Sequence, residues 1–564
     1  MRFVELLWPS KPQPAQSKRI ALGRLRFAMV AVALGFSLLG GKAFYLATNP
    51  ELRSSHASKS QPLIERGHIT DRNGKVLATS VPVKILHADP KLILDPFETA
   101  AKLAPLLPKW TEERLLKRFA TNTRYVELER RLTPRRHRDI LNLGLPGIAV
   151  TPTNARLYPH GNEAAHILGT IDVDGKGIAG IEKQFDETLQ KGLPVALSID
   201  VGVQAIMRAE IQKQIDEFEA IGGAGLILDI KTGEILALAS LPDFNPNHFA
   251  SAIDDARFNR ATKGVFEMGS IFKVLNTAVA LESGAVALGQ RFEVSKPLRV
   301  SRFQIRDYHP YDRPLNISEI LVYSSNIGSA RIAEAIGPDT QRAYMERLGL
   351  LDRLSLELPE VARPLIPQRW ERIASMTISY GHGLSVTPVH ASAAIAAAAG
   401  DGVYRAPTLL KRDPLSVPLE TRIFSADNVK AVRSMMRLVV SHKDGTGNFA
   451  EAPGYLVGGK TGTAEKIEGK KYNKKANMVS FVGTFPAHDP AYLLFVMVDE
   501  PKGQKQSYGY ATAGWVAAPA IRRIVEQIAP KLGIYPVDEN APEIRQNLIP
   551  GLQIGKEDSK SAAL

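Results

Sequence analysis

Three short clusters hold residue types able to perform acyl transfer. They are Ser270-Ile271-Phe272-Lys273, then Ser324-Ser325-Asn326, then Lys460-Thr461-Gly462-Thr463. A serine hydroxyl is a poor nucleophile until a neighbour removes its proton. If a helix starts at Ser270, Lys273 lies one turn on, on the same face and within reach of that hydroxyl. Burial and nearby positive charge lower a lysine pKa until the amine can serve as a base. The partial positive charge of a helix N-terminus works in the same direction and suits an oxyanion forming at Ser270. Ser324 could relay a proton to a leaving amine, and Asn326 could hold a substrate amide. Lys460 offers positive charge, and Thr461 and Thr463 offer hydroxyls, for a substrate carboxylate. Gly462, with Gly458 and Gly459, allows a ligand backbone to approach a strand closely. The backbone N–H groups of Ser270 and Thr463 could then form an oxyanion hole.

Each cluster alone has a bland counterpart: a surface serine and lysine, a helix cap, a glycine turn. Their order and combination carry the signal. Whether Lys273 is the only acylation base stays open. Lys231-Thr232-Gly233 repeats the third motif, but it lies between two apolar runs where a turn needs polar and glycine residues, so it reads as structural. The histidines are scattered and show no metal-ligand spacing, and no phosphate-binding loop or dinucleotide fingerprint is present. No cofactor, metal or nucleic acid is expected.

The elements that must position these groups follow from pattern. Arg66 to Ala78 reads as two short strands around an Asn-Gly turn, residues 95–145 as helical, and Arg156–Gly161 and Gly177–Glu182 as further clusters. Asp200 should cap a helix reaching about Glu217, followed by strands near 224–230 and 234–239. Helices are expected around 273–285, 316–348, 386–400 and 515–530, and late strands at 478–484 and 491–498. Early strands, a helical middle and late strands give an α/β fold with a mixed or antiparallel sheet flanked by helices.

The 564 residues exceed what one core organises, so several domains are expected. Residues 1–26 hold six basic side chains against Glu5 alone and precede an apolar run, Phe27–Ala47, long enough to span a bilayer. Basic residues on that flank place the N-terminus in the cytoplasm. A poor cleavage context after the run argues for a retained anchor over a signal peptide. The chain has no cysteine, which excludes disulfides, thiol catalysis and cysteine lipidation.

With those motifs in place, the chain resembles the class B penicillin-binding proteins, monofunctional peptidoglycan D,D-transpeptidases, over about residues 60–530. Arg66-Gly67 through Ala78, Arg156 through Gly161 and Gly177 through Glu182 look like the family's pedestal motifs. Asn259-Arg260-Ala261 leading to Glu267-Met268-Gly269-Ser270, then Tyr380-Gly381-His382-Gly383 and Gly514–Pro519, look like catalytic-domain elements. Met268 stands where the family usually has proline, which should loosen the approach to Ser270.

The resemblance implies a cytoplasmic segment (1–26), a transmembrane helix (27–47), an elongated α+β pedestal (48–195), a serine β-lactamase-like transpeptidase domain (196–533) and a tail (534–564) expected to be extended or disordered. It implies a Ser270 acyl-enzyme on stem peptides ending in D-Ala-D-Ala, and acylation by β-lactams. Spacing around His166–Gly169 and Asp172–Gly175 favours the division-specific branch over the elongation-specific one. The implied setting is the inner membrane at the division site, with the catalytic domain periplasmic and a SEDS-family (FtsW-like) glycosyltransferase and other divisome proteins as partners. A β-lactam hydrolase or sensor, and a catalytically silent scaffold, are the competing classes.

Overall fold

The computed structural model describes residues 14–48, 65–301, 303–413, 420–468 and 471–548. It comprises two compact units, Met1–Ile64 and Glu65–Leu564. In the first, a helix runs Pro14–Thr48. Its apolar part, Gly23–Tyr45, has 23 residues, about 34 Å at 1.5 Å per residue, enough for a hydrocarbon core of about 30 Å. The helix starts well before residue 27 because Ala15, Gln16, Lys18, Arg19, Ala21 and Leu22 are strong helix formers. The expected basic segment before residue 14 and most of the expected polar linker after Thr48 lie outside the described residues.

In the second unit, the Asn73-Gly74 turn is held by Asp71, whose Oδ1 accepts from the N–H groups of Asn73 and Lys75, both at 2.8 Å. The strand after it is longer than expected, Val76–Ala88, and pairs with Ile69–Thr70, Val126–Leu132 and Ile148–Leu157. Residues 95–145 are therefore not helical throughout. Helices Pro96–Leu103, Glu112–Phe119 and Pro134–Leu141 surround the strand Val126–Leu132, whose alternating Val126, Leu128 and Leu132 face the core.

Three separate clusters of the sequence meet here. Glu182, fully buried, takes Arg66 Nε on one oxygen and Arg156 Nε on the other, both at 2.7 Å. Arg66 also reaches Asp186 at 2.7 Å.

A five-stranded sheet organises the rest. Its order is Gly458–Glu468, Lys471–Phe485, Tyr492–Asp499, Gly222–Asp229 and Ile235–Leu241, and every pairing is antiparallel. Both faces are covered, which explains why Tyr492–Asp499, Gly222–Asp229 and Ile235–Leu241 are apolar runs without polar alternation. In Tyr492–Asp499, Leu493, Phe495 and Met497 enter one core cluster and Leu494 and Val496 the other. Helices Val201–Glu217 and Ala513–Ile528 pack on the second side, and Phe272–Glu282, Pro388–Ala399 and Ala426–Ser441 on the first. Asp200 caps Val201–Glu217 through Gly202 and Val203. The helix Ala426–Ser441 was not anticipated, and the 316–348 stretch is broken into Ile317–Val322, Asn326–Ile336 and Pro338–Arg347.

The second K-T-G, Lys231–Gly233, does form the turn between two strands, with Asp229 Oδ1 accepting from Lys231 and Thr232 N–H at 2.8 and 2.9 Å. Beyond residue 534 the described chain is not loose. Glu539 is bound by Arg437, and Ile544 packs against Leu456 and Ala487.

Candidate active site

Ser270 sits in a single 3₁₀ turn, Gly269–Ile271, that feeds the helix Phe272–Glu282. Lys273 lies in the first turn of that helix, its side chain almost wholly buried. Its Nζ is 3.0 Å from Ser270 Oγ, 3.1 Å from Ser324 Oγ, 2.6 Å from Ser324 O and 2.7 Å from Asn326 Oδ1. The break at 323–325 produces this convergence. Ser324 has φ +60°, a left-handed conformation costing a non-glycine residue about 1–2 kcal/mol. The Ser324 carbonyl and hydroxyl both reach Lys273 from this conformation.

Counting donors shows what Lys273 can do. Ser324 O and Asn326 Oδ1 can only accept, so they take two N–H bonds. A neutral amine then has its one lone pair left for one hydroxyl at a time, Ser270 or Ser324. Burial first, and the charge of Lys460 second, hold Lys273 well below the usual lysine range, with Asp307 opposing them. The geometry and the electrostatics thus suit proton abstraction from Ser270, with Ser324 in reach of the same nitrogen.

Asp307 had no signature in the sequence. It caps the helix Asn326–Ile336, its Oδ1 accepting from Asn326 N–H at 2.5 Å and Ile327 N–H at 2.9 Å, and its Oδ2 accepting from Ser325 Oγ at 2.6 Å. It therefore fixes the Ser324–Asn326 loop against Lys273. Asn326 spends its carboxamide on Lys273 and on the Arg306 carbonyl, to which Nδ2 donates at 3.2 Å.

Lys460, Thr461, Gly462 and Thr463 lie on the edge strand Gly458–Glu468, as expected. Lys460 is fully buried and donates to the Thr461 carbonyl at 3.0 Å and to Thr461 Oγ1 at 3.2 Å. Burial brings its pKa to about 7. Thr461 Oγ1 donates to Thr446 Oγ1 at 2.7 Å, which brings the 446 loop to the rim of the site. Thr463 is exposed.

Two glycines let this strand and the 380 loop lie against the nucleophile turn. A Cβ on Gly462 would sit 2.8 Å from Met268 O, Ile271 Cγ2 and Ser480 Oγ. A Cβ on Gly381, at φ +86°, would sit 2.0 Å from Gly269 O. Met268 is buried, so its side chain anchors the approach to Ser270 through packing.

The family comparisons agree with this geometry. Residues 223–526 match the penicillin binding protein transpeptidase domain, and residues 63–192 match the penicillin-binding protein dimerisation domain. The chain belongs to the class B penicillin-binding proteins. It is 40% identical over 481 residues to the probable peptidoglycan D,D-transpeptidase FtsI of Caulobacter vibrioides, covering 83% of this chain and 82% of that one. It is 32% identical to the peptidoglycan D,D-transpeptidase FtsI of Escherichia coli, covering 91% and 92%. The ampicillin complex of penicillin-binding protein 3 from Mycobacterium tuberculosis shares its fold, with a TM-score of 0.68 at 24% identity, over 85% of this chain and 98% of that one. The match to both family domains accounts for a pedestal and a catalytic domain in one class B chain.

Proposed function

We propose that Ser270, Lys273, Ser324, Asn326 and Lys460 perform the D,D-transpeptidase reaction of this family, with Thr461, Gly462 and Thr463 binding the substrate. Neutral Lys273 takes the Ser270 proton as Oγ bonds to the penultimate D-Ala carbonyl carbon. The N–H groups of Ser270 and Thr463 receive the oxyanion. The C–N bond breaks, and the proton passes from Lys273, by way of Ser324 Oγ, to the departing D-Ala amine. An amine from a neighbouring stem then attacks the ester, gives its proton to Lys273, and Ser270 leaves carrying it. Lys460, charged below about pH 7 when the site is empty, suits the terminal carboxylate. β-Lactams present a strained amide to the same serine.

The observation that carries this reading is Lys273 Nζ standing 3.0 Å from Ser270 Oγ while two acceptor-only atoms use its hydrogens. The test is labelling of the detergent-extracted protein with a fluorescent penicillin, with peptide mapping and Ser270→Ala as control. A stable adduct on Ser270, absent from the variant, is expected. Rapid loss of the adduct would indicate a hydrolase, and no adduct a silent scaffold.

The setting follows the relatives named FtsI. The basic flank places the N-terminus in the cytoplasm, so the domains, joined near residue 195, work outside the membrane at the division septum beside an FtsW-like glycan polymerase. Full septal localisation and partner binding after exchange of the helix Pro14–Thr48 for an unrelated span would count against docking through the anchor.

A further inference from the structure

A group of polar side chains beside the nucleophile takes no part in the acyl-transfer scheme: Glu267, His382 and Tyr472. Glu267 stands three residues before Ser270, on the short strand Phe266–Glu267 that pairs with Ser385–Val386. It is 9% exposed. Its Oε1 accepts from Gly383 N–H at 2.7 Å and from the Tyr472 hydroxyl at 3.2 Å. Its Oε2 is buried with no hydrogen-bond partner, and so is His382 Nδ1. The His382 ring packs edge-on against Tyr472, centroids 5.8 Å apart, and tilted against Tyr380 at 5.4 Å. A buried carboxylate with an empty oxygen costs stability and calls for an explanation.

The segments joined at Oε1 suggest one. The Tyr380–Gly383 loop lies directly beneath the nucleophile turn, where Gly269 N–H donates to Gly381 O at 3.2 Å. Tyr472 belongs to the strand Lys471–Phe485, which pairs with the strand bearing Thr463. The ladder slips between Glu465 and Lys466, whose partners are Asn477 and Asn473. Tyr472 thus lies beyond an irregularity that separates the outer end of this hairpin from the part carrying Lys460–Thr463. Tyr472 is half-exposed, and its phenol keeps its proton at neutral pH and donates to Glu267. One carboxylate oxygen therefore ties the nucleophile side of the cleft to the outer end of the strand side.

We infer that Glu267 is a positioning residue for acyl transfer: by holding Gly383 and Tyr472 on one oxygen, it sets the gap between the Ser270 turn and the strand bearing Thr463. Those are the two sources of oxyanion N–H groups, so their separation decides how well the tetrahedral intermediate is held. The inference rests on the acyl-enzyme reading above. The role needs an acceptor at Oε1 and does not need the charge. Glutamine keeps such an acceptor, whereas alanine removes it.

The test is the concentration dependence of fluorescent-penicillin acylation in the full chain, which separates binding from the first-order acylation step. Glu267→Ala should slow acylation about 30-fold, since sub-ångström misplacement costs up to 10²-fold, with binding changed less than about threefold. Glu267→Gln should recover the rate to within about threefold. Tyr472→Phe keeps the ring on His382 and should lose about three- to tenfold without moving the unfolding midpoint. An unaltered rate in Glu267→Ala, or a Glu267→Gln as slow as Glu267→Ala, would overturn the assignment. If Glu267→Ala does not fold, an unaltered rate in Tyr472→Phe overturns it instead. If the unaltered chain gives no Ser270 adduct, the acyl-enzyme reading fails and this assignment with it. That outcome is distinct from a chain that labels normally alongside unaffected variants.

Discussion

Replacing Gly381 by alanine places a methyl group against the back of the catalytic turn. The new Cβ would stand 2.0 Å from Gly269 O, 2.4 Å from Gly269 N and 2.5 Å from Gly269 C, where real Cβ contacts stay beyond 3.0 Å. The two backbones must part by at least 1 Å. Neither side yields cheaply. The loop is tied by Gly381 N–H to Ile378 O at 2.9 Å, His382 N–H to Thr377 O at 3.0 Å and Gly383 N–H to Glu267 at 2.7 Å. Gly269 is also packed against Thr463 O, which a Cβ on Gly269 would meet at 2.6 Å. The strain is therefore shared, and Ser270, the next residue along, moves by a good part of an ångström. Misplacement of that size costs about 10²-fold in rate. The φ of +86° adds about 1–2 kcal/mol of backbone cost. The assay is the second-order rate of penicillin acylation beside a thermal unfolding curve. A slowing of about 10²-fold in a protein that still unfolds cooperatively is expected. Acylation within a factor of three of the unaltered chain would refute the claim that this contact aligns the nucleophile.

Lys460→Met should lose affinity for carboxylate-bearing donors by about 10–100-fold, the worth of a charge-assisted hydrogen bond. In the unaltered chain that affinity should weaken as pH rises past about 7, because Lys460 loses its proton there, and the variant should not show this dependence. The same variant should unfold at higher temperature at neutral pH. The folded-state pKa lies below the unfolded value, so burial opposes protonation by up to about 4 kcal/mol at pH 7; this cost fades as pH rises towards 10.5, and methionine removes it. Asp307→Asn keeps the helix-capping acceptor but removes the charge that raises the Lys273 pKa, so the acid limb of the acylation profile should move to lower pH. Glu182→Ala takes the carboxylate partner from buried Arg156 and leaves buried Arg66 with Asp186, and should destabilise the protein by about 3–5 kcal/mol, as read from denaturant unfolding. Its folded fraction should keep its acylation rate.

Local patterns could be read directly. Asp200 before an apolar helix, the Asn73-Gly74 turn and the Lys231–Gly233 turn are each governed by residues within a few positions, and each formed as its chemistry requires. Long-range pairing was not legible. Val126–Leu132 is a strand because Val76–Ala88 offers it a partner, although the Leu- and Arg-rich stretch around it favours helix. The helix near 316–348 breaks at Ser324, where the carbonyl accepts from Lys273 Nζ, 51 positions earlier. Residues 535–548 are held through Ile544 against Leu456 and Ala487, contacts their own composition does not announce.

The active site divides the same way. Ser270 and Lys273 face each other because three residues of helix put them there, and the chemical types in the three clusters already specify acyl transfer. Tertiary structure alone decided that Ser324 and Asn326 reach Lys273, that the charge of Lys460 bears on it, and that Asp307 and Glu267 hold the frame. It also decided that the lysines are buried deeply enough to change their protonation. Hydrogen-bond chemistry is encoded in residue type, but desolvation and the convergence of distant segments are properties of a packed core, to which the whole chain contributes.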